Sequence, residues 1–538
     1  MVRFQTGGGK KNLSANAILT ANITVNTGIL DENKNLVSKS DLTEWEPIGT
    51  RWSPYTGTFD GKGYTISGLY FNNPTSSYVG LFGCIGADGK ISNVGVLNSY
   101  FQFSALGGGV CGVNYGTVRD CKNTGSVRGF STIGGVCGLN EKGGIIENSF
   151  NEGTVSGTGD NAQQVGGVSG YNNGTIKSCY NTASVSGQES VGGVCGFNSV
   201  GTTTNCFNEG TVSGKNIVGG VCGNGCGVAT TNCFNEGTVS GQSHVGGVCG
   251  YDYYYDGALT NCYYLSDTAT GGINGKDVSG KAEKKPKEQF ESGEVAWLLN
   301  GKGVGEQVWG QLLGRDQSPV PGSAYKVIKA AQGDKDANGN DTYWATFSNL
   351  TNDATLSVQS GRTLNVYNAT VRGGKLTLTQ RSGNQVAKEE GVLLKTDGEY
   401  VNAKANETNE LAKASSDDNL LVATPAEAQT ITADAGYKLY RLTYNKAATK
   451  EGLGFYLGVD KDNNSNDGTS LKATPGKAYL QVYEDDAKDP SSAALARSFV
   501  FGNDSETTGI EGITIMGTDV QRHGTIEGIF DLQGRKIS

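Results

Sequence analysis

Very few residues in this 538-residue chain are of the types that carry out acid–base or nucleophilic catalysis. The chain has two histidines, His244 and His523, and they fall in different predicted domains. A zinc peptidase needs His-Glu-x-x-His to place two imidazoles on one helical face, and neither histidine stands in that pattern. A Cys-His or Ser-His-Asp site would need one of the same two residues. We therefore expect no metalloprotease, and we interpret His244 as a turn residue rather than a base.

Three glutamates, Glu152, Glu209 and Glu236, recur at equivalent turns of a repeat. On consecutive turns of a parallel β structure, Glu209 and Glu236 would lie about 5 Å apart. That separation resembles the carboxylate pair of a retaining glycosidase, but the repeat alone also produces it. The prediction is a solvated turn, with weak cation binding and catalysis as the alternatives.

One acidic loop has the oxygen spacing of a calcium site. Its candidate ligands are Asp334, Asp336, Asn338 and Asp341, with Gly339 at the position of the conserved turn. Ala345, however, stands where the bidentate carboxylate of such a loop belongs. A polar hairpin turn is the default interpretation, and calcium is the one cofactor that the sequence suggests.

A run of tyrosines interrupts the last repeat at Tyr251, Tyr253, Tyr254 and Tyr255. Tyrosine gives a broad amphipathic contact area at low entropic cost, which suits flat glycan or protein ligands. These four residues are our candidate ligand-binding site. The alternative is a lid that only covers the final repeat.

The element that must position these residues is a repeat built on the phrase Gly-Gly-Val-Cys-Gly. Six copies begin at Gly108, Gly134, Gly166, Gly192, Gly219 and Gly246, the third with serine in place of cysteine, at steps of 26, 32, 26, 27 and 27 residues. A period of this size indicates a stacked solenoid. Each repeat holds three short runs rich in Val, Thr and aromatics, which predicts three strands per coil and an all-β, right-handed parallel β-helix.

Stacking places equivalent residues in columns. Two columns carry cysteines, which we expect to be mainly buried, reduced thiols, because in-register parallel strands aim their Cβ atoms the same way and suit a bridge poorly. Some disulfides are the alternative. A third column consists of asparagines whose amides could hydrogen-bond along the stack: Asn123, Asn151, Asn181, Asn208 and Asn235.

The phrase from Val191 to Asn198, followed by the one from Asn205 to Gly214, resembles the GLUG motif of bacterial surface proteins. That resemblance implies an adhesin-like protein of Bacteroides-type bacteria, or a relative of their immunoglobulin A peptidases. It implies a scaffold and a location more than a reaction. The two ends of the chain resemble the middle of a first coil and the start of an exported protein's C-terminal tail, so we expect a fragment truncated at both ends.

The predicted domains are the β-helix over residues 1–265, a helical cap and linker over 266–322, an antiparallel β-sandwich over 323–505, and the start of a tail over 506–538. Within the cap, residues 289–301 predict one helix that covers the last coil. The sandwich strands resemble a β domain that is often appended to Bacteroides-type surface proteins.

Composition excludes some partners. The net charge of −9 and pI of about 5.1 disfavour nucleic acid, and no apolar stretch is long enough to span a membrane. We predict a non-enzymatic cell-surface or secreted protein that binds host protein or glycan. The alternative is a non-catalytic stalk of a secreted peptidase or glycan-degrading enzyme. Oligomeric state is left open.

Overall fold

The structure is a computed structural model, which describes residues 12–225, 229–252, 259–302, 307–333, 335–336, 338–349, 351–445, 452–458, 467–488, 498–501, 513–515, 529–530 and 536–537. The chain divides into two compact units, Met1–Phe290 and Glu291–Ser538.

The first unit is the parallel β-helix that the repeats predict. Equivalent strands of successive coils pair in parallel, so that Cys111 lies beside Cys137 and Gly108 beside Gly134. Five sheets, rather than the three expected, run along the stack. We number them sheet 1 to sheet 5 in the order in which the chain first enters them.

Sheet 1 contains Ala17–Ile18, Thr58–Asp60, Lys90–Ser92, Thr117–Arg119, Ile145–Glu147, Thr175–Lys177, Thr202–Thr204, Thr230–Thr231 and Leu259–Thr260. Sheet 2 contains Ile23–Thr24, Thr65–Ser67, Gly95–Leu97, Lys122–Asn123, Phe150–Asn151, Tyr180–Asn181, Phe207–Asn208, Phe234–Asn235, Cys262–Leu265 and Ala282–Lys285. Sheet 3 contains Tyr70–Asn72, Tyr100–Gln102, Ser126–Gly129, Thr154–Gly157, Val185–Ser186, Val212–Ser213 and Val239–Ser240. Sheet 4 contains Ser77–Val79, Ala105–Gly108, Ser131–Gly134, Gln163–Gly166, Glu189–Gly192, Asn216–Gly219 and Ser243–Gly246. Sheet 5 contains Phe82–Ile85, Cys111–Asn114, Cys137–Asn140, Ser169–Asn172, Cys195–Asn198, Cys222–Gly225 and Cys249–Asp252.

The expected count of three strands per coil is wrong because two of the runs bend in the middle. The run from Thr202 to Phe207 breaks at Asn205, which has a left-handed backbone with φ of 54°. The same conformation recurs in seven coils, at Asn93, Asp120, Asn148, Ser178, Asn205, Asn232 and Asn261. The run from Val191 to Phe197 turns at Gly193 and Val194, which separate sheet 4 from sheet 5. Each bend converts one predicted strand into two.

The glycines of the repeated phrase stand where backbones approach closely. A Cβ on Gly134 would overlap the carbonyl oxygen of Cys137, because sheets 4 and 5 pack against each other at this corner. A Cβ on Gly135 would overlap the side chain of Asn151. Side chains at these positions are therefore excluded by contact, whatever their chemistry.

The predicted asparagine column forms a continuous chain of side-chain hydrogen bonds inside the coils. The Nδ2 of Asn151 donates to Oδ1 of Asn181 at 2.7 Å, and Asn181 donates to Asn208 at 2.7 Å. From Asn151 to Asn235, each Nδ2 also donates to a turn carbonyl, as Asn208 does to Gly210 at 2.7 Å. A second buried ladder, at the end of sheet 5, was not predicted: Asn114, Asn140, Asn172 and Asn198, joined at 2.8–2.9 Å.

The last coil is covered mainly by the segment that follows it. Ala282–Lys285 adds a parallel strand to sheet 2, and Ile273 and Ala282 join the buried core. The predicted single helix is instead two short ones, α1 at Lys287–Glu291 and α2 at Glu294–Leu299, because Gly293 adopts a left-handed backbone with φ of 88°. Phe290 of α1 packs edge-on against Phe234, at 5.8 Å between ring centroids.

The second unit consists of antiparallel sheets, as predicted. One sheet has four strands: Tyr325–Lys329, Tyr400–Ala405, Ala354–Ser357 and Gln385–Val386. A second has five: Ala331–Gln332, Tyr343–Ser348, Gly391–Thr396, Leu364–Arg372 and Lys375–Gln380. A third has six: Leu421–Ala423, Ala478–Tyr483, Tyr437–Asn445, Gly452–Leu457, Ser498–Phe501 and Ile513–Ile515. Two-stranded pairs are Trp309–Gly310 with Val320–Pro321, Thr430–Thr432 with Ser470–Lys472, and Ile529–Phe530 with Lys536–Ile537.

These sheets form three layers rather than a simple two-layer sandwich. On the strand Tyr343–Ser348, Ala345 and Phe347 face a core shared with the four-stranded sheet, whereas Trp344 faces a core shared with the six-stranded sheet. The five-stranded sheet is thus buried on both faces, and both sets of its alternating side chains are apolar.

Candidate binding surface

The best candidate surface is a row of side chains on the outer face of sheet 5. Each of the last five coils contributes one side chain to it. Its members occupy the third position of each of the last five strands and are half-buried, while the first and fourth positions of the same strands are buried in the coil interior. Parallel register places them one coil apart. We call them the aromatic row: Leu139, Tyr171, Phe197, Asn224 and Tyr251.

The backbone ladder fixes the spacing of the rings in this row. The rings of Tyr171 and Phe197 stack with centroids 4.9 Å apart and planes 12° from parallel. That offset face-to-face arrangement is one that aromatic pairs prefer. The row is therefore a preformed, ordered surface of ring faces and edges.

Tyr251, the described member of the predicted tyrosine site, ends this row. Its ring lies perpendicular to the imidazole of His244, with centroids 5.0 Å apart. His244 has a left-handed backbone with φ of 52°, and so do the equivalent residues Gln164, Ser190 and Ile217. Its position is thus set by the coil geometry, but it lies within the strand Ser243–Gly246 of sheet 4, so the interpretation of His244 as a turn residue is wrong. Tyr253, Tyr254 and Tyr255 lie outside the described residues.

A second exposed aromatic residue, Trp52, was not predicted as a site. It lies in a turn next to the first strand of sheet 5. The turn that bears Trp52 is anchored on both sides, because Ile48 bridges to Phe82 and Tyr55 bridges to Ile85. The Trp52 side chain is 86% exposed, and the Arg51 guanidinium lies 5.1 Å from its ring centroid. The sequence signal that could have revealed this site is a tryptophan within the polar segment Arg-Trp-Ser-Pro, which is typical of a turn and not of a strand.

The recurrent glutamates lie in one turn column. The Glu209 N–H donates to the Asn181 carbonyl, and the Glu236 N–H donates to that of Asn208, so these two glutamates follow each other on consecutive coils. Thr182 occupies the coil between Glu152 and Glu209. Desolvation by surrounding protein raises the pKa of the Glu209 carboxyl. The non-enzymatic interpretation of this column stays a prediction.

In the described part of the acidic loop, neighbouring protein groups contact the candidate oxygens of Asp336 and Asp341. Asp336 Oδ1 accepts hydrogen bonds from the N–H groups of Asn338 at 2.9 Å and Asn340 at 2.8 Å. These bonds lower the pKa of Asp336. The Lys335 ammonium lies 3.2 Å from Oδ1 of Asp341. Asp334 lies outside the described residues, and calcium here stays a prediction.

The described cysteines are all buried and carry free thiols. Those between sheet 1 and sheet 2 point back to the end of the preceding sheet 1 strand: the Sγ of Cys121 lies 3.1 Å from the Arg119 carbonyl oxygen, and that of Cys233 lies 3.2 Å from the Thr231 carbonyl. The thiols therefore act as small core side chains with weak donors. Across the described part of the chain, no cluster of three or more His, Cys, Asp or Glu side chains is placed to hold a metal ion.

Comparison with known proteins finds sequence relatives over short stretches of the chain. No family model matches the chain. A candidate Gly-rich membrane protein of Evansella cellulosilytica is 36% identical over 94 residues, covering 15% of this chain and 11% of that protein. Halomucin of Haloquadratum walsbyi is 32% identical over 104 residues, covering 19% of this chain and 1% of that protein. The chain thus spans only a small share of these relatives' lengths.

Among solved structures, the chain is similar to a candidate immunoglobulin A1 protease from Bacteroides ovatus. The match has 19% sequence identity and a TM-score of 0.37, and it covers 57% of this chain and 86% of that one. At a TM-score below 0.5 this match carries no argument about either the fold or the activity. Neither described helix is long and apolar enough to cross a membrane.

Proposed function

We propose that this protein is a cell-surface or secreted binding protein that presents the β-helix to host protein or glycan. The observation that carries the proposal is the aromatic row, with Tyr171 and Phe197 stacked at 4.9 Å on a half-exposed face. Aromatic side chains supply a large contact area with few rotatable bonds. Because the ladder already fixes their spacing, binding orders little else, and this lowers the entropic cost of association.

The charge pattern supports a neutral or weakly charged ligand for this face. Between Val191 and Gly250 the only charged residues are Glu209, Lys215 and Glu236, apart from the histidine. Electrostatic steering raises association rates when complementary charges face each other, and this stretch offers few charges. Recognition would therefore rest on shape, ring stacking and amide contacts, to which Asn224 contributes.

The test is to incubate the purified chain with immunoglobulin A and with a panel of host and plant glycans, scoring retention and cleavage separately. We expect retention without cleavage. Replacing Tyr171, Phe197 and Tyr251 together by alanine should weaken retention at least tenfold, which corresponds to about 1.4 kcal/mol. The matched control is Tyr64→Ala, since Tyr64 is a surface tyrosine, 38% exposed, outside the row.

Retention that the triple variant leaves unchanged would refute the row as the binding surface. Cleavage that disappears in Glu209→Gln or Glu236→Gln would refute the non-enzymatic proposal. Retention of no ligand at all would favour the alternative, in which this chain is a stalk for a catalytic module encoded beside it.

A further inference from the structure

The second unit contains a cavity with an unusual charge. It has a volume of about 370 Å³, which falls within the range of small-molecule sites. Its wall is apolar on the side of Phe347, and Trp297 and Asn349 also line it. The ionisable side chains among its described lining residues are Lys326, Lys329 and Lys477, and the lining contains no aspartate or glutamate.

A second cavity, of about 200 Å³, also has a positively charged lining. It shares Lys329 and Lys477 with the first cavity, so these two lysines lie between the two. It adds Arg441 and Lys472, again with no acidic residue among its described lining. Five cationic residues thus line these two adjoining cavities, which we together call the groove, in a chain whose net charge is −9. Composition alone would not produce this concentration of positive charge.

The cations of the groove are mostly without carboxylate partners in the described part of the chain. Lys329 pairs with Glu399 at 2.7 Å. No ion pair within the described residues reaches Lys326, Arg441, Lys472 or Lys477. Unneutralised positive charge facing a cavity is stabilised by an anion that enters it.

The backbone of Lys477 is held in place beside the two cavities. Its backbone N–H donates to Thr424 Oγ1 at 3.1 Å, and its carbonyl accepts from the same hydroxyl at 2.9 Å. Desolvation lowers the pKa of its ammonium group to about 8. A buried ammonium is costly unless it is paired, so a bound anion would recover part of that cost.

We propose that this groove binds an acidic saccharide, with the carboxylate or sulfate of the sugar at Lys477 and a sugar ring against Trp297. The Trp297 ring already accepts a cation, since the Lys329 ammonium lies 4.8 Å from its centroid. An apolar wall, an indole and a side-chain amide suit the alternating apolar and hydroxyl surfaces of a pyranose. This inference goes beyond the proposed function, because it concerns another unit and a strongly acidic rather than a neutral ligand.

The experiment is a calorimetric titration of the full chain with an oligogalacturonate tetramer and with a heparin-derived tetrasaccharide. Neutral maltotetraose, inorganic sulfate and a single-stranded oligonucleotide are titrated in parallel. We expect an acidic saccharide to bind at least tenfold more tightly than maltotetraose or sulfate. Binding should also weaken as salt rises, because surface charge interactions are screened.

Variants then locate the binding. Lys477→Met should weaken binding at least tenfold, and Lys326→Met and Lys472→Met should each weaken it several-fold. The control is Lys413→Met, since Lys413 is a half-exposed lysine of the same unit that pairs with Glu389 at 2.9 Å and lines neither cavity. Circular dichroism checks that each variant is folded. The triple variant of the aromatic row should bind the acidic saccharide normally, which separates this site from the first.

Three results would overturn the inference. The first is equal affinity for neutral and acidic saccharides. The second is an affinity that survives the triple change of Lys326, Lys472 and Lys477 to methionine in a folded protein. The third is tighter binding of the oligonucleotide through the same lysines, which would assign the groove to another polymer.

Discussion

The repeat stack and the layered domain are both β structures, but different residues stabilise them. In the stack, each coil rests on its neighbour through identical residues, and buried amides and thiols take positions that apolar side chains usually fill. In the layered domain, alternating apolar side chains fill two cores on either side of one sheet. The comparison shows that a periodic chain can use polar core residues, since every coil supplies the partner that the next one needs.

The stack should be the more sensitive of the two to alkaline pH. Burial raises the pKa of Cys121 from 9.0 to about 12 and that of Cys84 to about 11. The folded state therefore holds these protons above pH 9 while the unfolded state releases them, and stability falls as pH rises. Each such thiol contributes about 1.4 kcal/mol per pH unit in that window. We expect a loss of several kcal/mol between pH 9 and pH 10.

The measurement is urea unfolding under reducing conditions at several pH values, read by pulse labelling of thiols at one common pH. Every cysteine lies between Cys84 and Cys262, so the labelling reports on the stack alone. Changing Cys179, Cys206 and Cys233 to serine should flatten the dependence, since Ser149 already occupies the equivalent position in its own coil. A stack equally stable at pH 8 and pH 10 would contradict the buried-thiol core. Disulfides detected by mass would contradict it as well.

A glycine-to-alanine substitution should destabilise the stack more than the layered domain. Gly193→Ala would drive a Cβ into the Asn208 side chain and the Gly220 carbonyl, where no flexible group can yield. We expect a cost of about 3 kcal/mol, at the upper end for overpacking. Gly383→Ala in the layered domain is the control, because its Cβ would meet nothing within 4 Å. Denaturant midpoints of the two variants test this, and similar values would show that the stack relaxes more easily than its contacts indicate.

The asparagine ladder should show energetic coupling between coils. Asn151→Ala and Asn181→Ala each remove a buried partner of the other, so their costs should not add. We expect a coupling energy of about 1–2 kcal/mol between these neighbours. Asn181→Ala combined with Asn402→Ala, a buried asparagine of the layered domain, should be additive. Additive costs for the ladder pair would mean that the coils are independent.

The smallest expected effect is a change in the stability of the layered domain with pH, and its sign is opposite to that expected for the stack. The folded-state pKa of Lys477 is lowered from 10.5 to about 8, so between those values the unfolded state binds more protons. Stability of this unit should therefore rise with pH in that window. We expect about 1 kcal/mol, less than the full shift would give, because the Lys477 side chain is partly exposed and solvent screens its charge. Comparing the wild-type chain with Lys477→Met from pH 8 to pH 10 isolates the effect from tyrosine ionisation. If the two differ by a constant amount, Lys477 is not desolvated.

Sequence reasoning predicted best where the chain repeats. The Asn123 column was predicted because five asparagines share a period, and the structure confirms its hydrogen bonds. The ladder from Asn114 to Asn198 had the same signal in Cys-Gly-x-Asn and was overlooked. The bend at Asn205 was not predicted, because a left-handed backbone at one residue does not interrupt the pattern of residue types along the run. Tyr251 was predicted as a site because other tyrosines follow it in the sequence. In the structure, the other members of its row come from successive coils.

In the second unit, the individual strands were predictable and their arrangement was not. Alternation places Trp344 and Phe347 on opposite faces, but it does not say that both faces are buried. The basic groove brings together Trp297, Lys326 and Lys477, which are far apart in sequence. No local pattern links them, because antiparallel pairing and layer packing create the site.

The single step of 32 residues in the repeat shows how such a protein can change over generations. The extra residues, relative to the next coil, lie in the turns around residues 141–144 and 158–162, outside the paired strands. The buried ladder crosses this coil undisturbed, with Asn140 donating to Asn172 at 2.8 Å. Duplication and slippage within a gene can therefore lengthen turns while the register of the coils is kept. Sequence drift at the turns could then diversify the displayed surface without a new fold having to evolve.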